Sequence, residues 1–178
     1  MLNSHADSAD FLPFKIVDRD LAKIWRNAVP LVSIRSLILK DDYQKSLDGE
    51  SWDKELVSWE GHPEFEKGMF VARVIGDAME PLIPAGSYCL FKAANEESID
   101  GKVVLVKHGK INDPHTGGDW AVRTIEVIEA VGEVEHKRIN LVSENSYVPV
   151  VQIEPAVQSG LTFYGELVEV LAVDESRS

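Results

Sequence analysis

The sequence is short of several things, and each shortage excludes something. Cysteine occurs once, at position 89, so no intramolecular disulfide can form and the reducing cytoplasm is the expected location. No apolar run approaches the ~18 residues that a bilayer span requires. The first residues, MLNSHADSADFLPFK, lack the basic start and apolar middle of a secretory signal, so no membrane association is expected. Basic residues are few, with 18 Lys and Arg against 30 Asp and Glu for a net charge of −12. Phosphate contacts are made mostly by Lys and Arg, so direct nucleic-acid binding is not expected. The acidic balance serves solubility, or forms a face that meets a basic partner protein, or mimics DNA towards a basic nucleic-acid enzyme. Histidines stand far apart, at positions 5, 62, 108, 115 and 136, without the spacing of metal ligands. No glycine-rich phosphate loop is present either, so neither a metal nor a cofactor is expected.

What is present suits one globular domain of ordinary size: 178 residues, 44% hydrophobic and 27% charged. Residues 1–28 read as a polar tail followed by a short helix. Asp18 is its N-cap, Leu21, Ile24 and Trp25 share one face, and Val29-Pro30 ends it. Residues 29–67 read as an extended arm, β-branched from Val29 to Leu39, then a charged loop and a linker. Residues 68–173 carry the strands: Met69–Ile75, Tyr88–Phe91, Lys102–Lys107, Trp120–Ala130, Arg138–Val142, Val148–Ile153 and Leu161–Val173. Pro81 favours a single tight turn over Met79–Ile83, and Gly165 suggests a bulge or a close approach inside the last strand. Cys89 reads as a small core residue. His108 and His115 flank a polar loop and are expected to be solvated.

The stretch Phe70–Lys92, FVARVIGDAMEPLIPAGSYCLFK, organises the rest. Within it, Val74-Ile75-Gly76-Asp77-Ala78-Met79-Glu80-Pro81-Leu82-Ile83-Pro84-Ala85-Gly86 resembles the nucleophile motif of LexA-like serine peptidases, V-x-G-D-S-M-x-P-x-I-x-x-G-D. That superfamily includes SOS repressors, UmuD-type proteins, phage repressors and, more distantly, bacterial signal peptidases. Two landmarks differ: Ala78 stands at the serine and Ser87 at the closing aspartate. Further blocks follow in order. The segment from Asp100 to Val106 is similar to the G-x-x-V-V strand. Trp120 to Ile125 is similar to the strand carrying the catalytic lysine, Leu141 to Ser146 to the L-x-P-E-N-S turn, and Gly165 to Leu171 to the closing strand.

The resemblance implies a mostly-β, LexA-like peptidase-domain fold of bent antiparallel sheets, preceded by the short N-terminal helix. It implies a Ser-Lys dyad whose two positions are here Ala78 and Arg123. A serine hydroxyl needs a neighbouring base to take its proton, and in this family the base is a lysine held neutral by burial. A methyl group is no nucleophile, and a guanidinium stays protonated at physiological pH. Ser33–Lys40 also lacks the Ala-Gly or Cys-Gly pair that self-cleaving members cut, and the residues before Val29 are too few for a repressor's helix-turn-helix domain.

Two explanations fit Ala78. The chain is a catalytically degenerate member, a protein-interaction or regulatory module in a bacterial DNA-processing, stress-response or phage-defence system. Alternatively it is a Ser-Lys (auto)peptidase whose serine has been replaced at position 78. On the first, Gly76, Asp77, Met79, Glu80, Pro81 and Ile83 line the former substrate cleft, now a groove for an extended protein or peptide partner or for the arm of residues 29–40. Arg123 is expected to pair there with Asp77, Glu80 or an acidic group of the ligand. A homodimer through the C-terminal strand is the further partnership the family suggests.

Overall fold

The computed structural model describes residues 12–18, 28–35, 55–60, 65–129, 137–154 and 160–171. The described residues form ten strands: β1 (Lys15–Val17), β2 (Val29–Val32), β3 (Leu56–Ser58), β4 (Phe70–Arg73), β5 (Tyr88–Lys92), β6 (Val103–Lys107), β7 (Trp120–Glu129), β8 (Lys137–Val142), β9 (Val151–Ile153) and β10 (Thr162–Val170). They follow one another laterally as β1-β3-β2-β4-β5-β10-β6-β7-β8-β9. Every pairing is antiparallel except β2 with β4, where Leu31 lies against Val71 and Val32 against Ala72. The protein is therefore mostly β, as the strand signals require, with one parallel ladder in an otherwise antiparallel arrangement.

Side-chain alternation places the core. Phe70 and Ala72 of β4, Cys89 and Phe91 of β5, Leu105 of β6 and Trp120 and Val122 of β7 share one central cluster. The alternate residues face the other way. Val71 and Leu90 join Phe14, Val29 and Val57, whereas Val104, Val106, Ala121 and Ile125 join Leu141 and Ile153. Both faces of the central strands are thus buried, which is why they read as near-continuous apolar runs. Gly165 is both things its position suggested. The β10–β6 register shifts between Phe163 and Gly165, and a Cβ at 165 would stand 2.9 Å from the Phe70 ring. β10 is hydrogen-bonded on both sides, to β6 along Thr162–Glu166 and to β5 along Glu166–Val170.

Several local expectations need correction. Val17 closes β1 rather than opening a helix, and the predicted helix beyond it lies outside the described residues. The arm is extended only to Val32; the backbone turns helical at Ile34–Arg35. Glu96–Ser98 forms a 3-10 turn capped by the Asn95 side chain, a feature too short to leave a periodic signal. His108 is buried, not solvated. Its Nδ1 accepts the Lys110 N–H at 3.1 Å, and its own backbone N–H donates to the Asp119 carbonyl at 2.9 Å. Among the described residues no helix is long and apolar enough to cross a membrane.

Candidate functional site

The loop between β4 and β5 is closed at its neck by the Val74 N–H donating to the Ser87 carbonyl (2.8 Å) and the Gly86 N–H to the Val74 carbonyl (2.9 Å). Arg73 Nε donates to the Gly86 carbonyl at 3.0 Å, and Gly86 has a φ of +82°, a backbone that glycine adopts without strain. Inside the neck, the Glu80 N–H closes a turn on the Asp77 carbonyl at 3.1 Å, and the Ile83 N–H bonds the Met79 carbonyl at 2.8 Å. The Glu80 carboxylate accepts the Ala85 N–H at 3.0 Å, and the Glu80–Pro81 bond is cis. Met79 and Ile83 sink into the central cluster and pin the loop from beneath. Asn145 holds it from the side: its N–H donates to the Ala78 carbonyl at 2.9 Å and its side-chain amide to the Asp77 carbonyl at 3.3 Å. The central amides of the turn, on Ala78 and Met79, have no acceptor among the described residues.

The opposite wall is the hairpin joining β6 to β7, whose loop folds back over β7. Asp113 and Gly118 bridge each other. Asp113 Oδ1 accepts the backbone N–H groups of His115 (2.8 Å) and Thr116 (3.2 Å). Its Oδ2 accepts from Arg123 Nη2 at 3.1 Å, and Arg123 Nη1 donates to the Val122 carbonyl at 2.7 Å. Asp113 and Arg123 are only 5% and 6% exposed, so this is a buried ion pair with its oxygens fully hydrogen-bonded. The two walls meet where His115 Nε2 comes within 3.3 Å of Asp77 Oδ1. Gly76 lets the imidazole lie there, since a Cβ at 76 would stand 2.9 Å from it.

Ala78 and Arg123 line one shallow pocket of about 290 Å³, open to solvent, with Gly76, Met79, Asp113, Thr116 and the arm residue Ile34 on its walls. Ala78 and Arg123, 45 residues apart in sequence, thus share a cavity. Of the other groove residues named from the sequence, Asp77 stands half-exposed at the rim beside His115. Glu80 and Pro81 are exposed on the loop's outer side, and Ile83 is wholly buried in the core, where no peptide reaches it. Arg123 pairs with neither Asp77 nor Glu80, because each of these has its own partner. Asp113, His115, Thr116 and Asn145 were missed. The Asp113-Pro114 pair followed by Gly117-Gly118 was the available signal, an Asx-turn signature that fixes a loop but not what it covers.

Chemically, the pocket offers a buried guanidinium, amide donors at the turn and, among its lining residues, one hydroxyl. Thr116 Oγ1 donates to the Trp120 carbonyl at 3.2 Å, so its proton points away from any base. Among the described residues no three His, Cys, Asp or Glu side chains come together as metal ligands would.

No curated protein matches the chain. The family model described as Peptidase S24-like matches residues 36–168, well over half of the sequence, and spans the loop of Ala78, the strand of Arg123 and the closing strand alike. This protein belongs to the Peptidase S24-like family.

Proposed function

We propose that this S24-like domain is catalytically degenerate and works as a protein-interaction or regulatory module, holding an extended peptide segment without cutting it. One observation carries the reading: Arg123, to which the family resemblance assigns the position of the general base, lies in a buried ion pair with Asp113 at 3.1 Å. A dyad lysine works only when it can be neutral, and an opposite charge within about 4 Å holds a base in its charged form. Arginine stays protonated in any case. Ala78, across the pocket, supplies no hydroxyl. The site therefore departs from a working dyad at both of its positions, and an exchange of serine for alanine accounts for only one of them.

The scaffold of the loop is meanwhile kept, with its neck, its pinned Met79 and its free turn amides. A retained groove without a nucleophile suits binding rather than turnover. A cytoplasmic setting in bacterial regulation and a homodimer belong to the same proposal.

The test is a restoration series of Ala78→Ser, Ala78→Ser with Arg123→Lys, and both with Asp113→Asn, followed by intact mass for self-cleavage. The first two stay intact, and cleavage emerges, if at all, only in the triple variant, where the lysine has lost its counter-ion. Cleavage by Ala78→Ser alone would establish the alternative, a peptidase whose serine has been replaced.

A further inference from the structure

We infer that the pocket between Ala78 and Arg123 recognises the terminal carboxylate of a peptide chain, so that the ligand is a chain end rather than an internal segment. This rests on the groove reading above and adds to it the chemical group recognised. A guanidinium carries five N–H donors. Arg123 uses one on the Val122 carbonyl and one on Asp113, and the remaining three have no acceptor among the described residues. The group is 94% buried by its 6% exposure, so its hydrogen bonds are screened little by water. Its Nη2 already donates to one carboxylate, that of Asp113. Ala78 and Met79 line the same pocket, and their turn amides have no acceptor among the described residues; adjacent backbone N–H groups of this kind favour anions.

A serine at position 78 would put a hydroxyl into the pocket, whereas the methyl of Ala78 leaves that space to the ligand. The walls formed by Ile34, Val74 and Met79 suit a small or apolar final residue. With a net charge of −12 the protein repels anions at long range. Selectivity must therefore arise at contact, and it survives physiological salt, where the Debye length is about 8 Å.

The experiment titrates the ¹⁵N-labelled full chain with N-acetyl-Val-Leu-Ala as free acid, with its C-terminal amide and with acetate, following the Arg123 Nε–H and the Ala78 and Met79 amides. The free acid is expected to shift these resonances and to bind at least about tenfold more tightly than the amide, the worth of a charge-assisted hydrogen bond. Asp113→Asn, which removes the internal competitor for the guanidinium, tightens the acid and leaves the amide unchanged. Arg123→Gln with Asp113→Asn replaces the ion pair by a neutral pair, keeps the dispersed spectrum of a folded chain and abolishes the preference. Equal binding of acid and amide at these resonances overturns the inference while the groove reading stands. Acetate binding as tightly as the peptide acid overturns the chain-end assignment. Failure of both peptides to shift the site at 10 mM overturns both this inference and the groove reading.

Discussion

Replacing Arg123 by methionine keeps most of the side-chain volume but leaves the Asp113 carboxylate buried without its counter-charge. The two groups are 6% and 5% exposed and 3.1 Å apart. With charge centres about 4 Å apart and an effective dielectric near 20, their attraction is ~4 kcal/mol. That attraction offsets a desolvation penalty of several kcal/mol per ion. Removing one partner loses the first term and keeps half of the second, so Arg123→Met is expected to destabilise the fold by ~3–5 kcal/mol. Asp113→Asn preserves an oxygen for the His115 and Thr116 amides but strands the guanidinium, and its cost is of similar size. The double variant discards both charges and is expected within ~1 kcal/mol of the parent. Urea unfolding reads this directly. With a slope of ~2 kcal/mol per molar, each single variant lowers the midpoint by ~2 M and the double variant restores it. Single variants that each shift the midpoint by less than ~0.3 M would refute the claim that this pair is a buried, mutually dependent unit.

Burial pushes the Cys89 thiol from 9.0 up to about 12. The unfolded chain then loses its thiol proton first, so stability is full below pH 9 and falls as pH rises towards 12, by up to ~1.4 kcal/mol per pH unit. Cys89→Ala lacks this limb, and the gap between the two proteins' urea midpoints should close as pH rises above 9. Gly165→Ala forces a Cβ to within 2.9 Å of Phe70 and 3.1 Å of Phe91, an overpacking expected to cost ~1–3 kcal/mol in the same unfolding assay. Asn145→Ala removes the side-chain hydrogen bond to the Asp77 carbonyl and the acceptor of the Tyr147 N–H. It should cost ~1–2 kcal/mol and speed hydrogen exchange at the Glu80 and Ile83 amides, with the β6–β7 hairpin unaffected.

The strands were legible because each buries alternating or continuous apolar side chains. Phe70 to Arg73 and Trp120 to Glu129 fall inside the stretches their patterns mark, and Tyr88 to Lys92 runs one residue past its own. The loop of Ala78 was legible for a different reason, since Gly76, Pro81 and Gly86 each impose a backbone constraint that local sequence records. The limits are equally physical. The Val29–Leu39 run is apolar apart from Ser33, Arg35 and Ser36, and such a run does not mark where an extended backbone turns helical. It does so at Ile34, whose side chain then enters the pocket. Lateral strand order depends on pairings such as β10 between β5 and β6, and these leave no local mark. The partner of Arg123 was hidden because β7 runs back along β6, with Arg123 opposite Val104. The hairpin loop must fold back over the sheet to bring Asp113 to it, and Asp113 and Asp119 of that loop are equally acidic. Only the packed loop decides between them: Asp113 takes Arg123, and Asp119 faces Lys107.

The central claim is that the pocket cannot activate a nucleophile, and a measurement that needs no substrate tests it. The Ala78→Ser protein is incubated with a fluorophosphonate, which labels an activated serine covalently, and its intact mass is followed over time. Arg123, charged and paired to Asp113, cannot take the serine proton, and the predicted result is an unchanged mass. A single phosphonate adduct on Ser at position 78 of that variant would contradict the account and mark the site as a peptidase lacking only its serine.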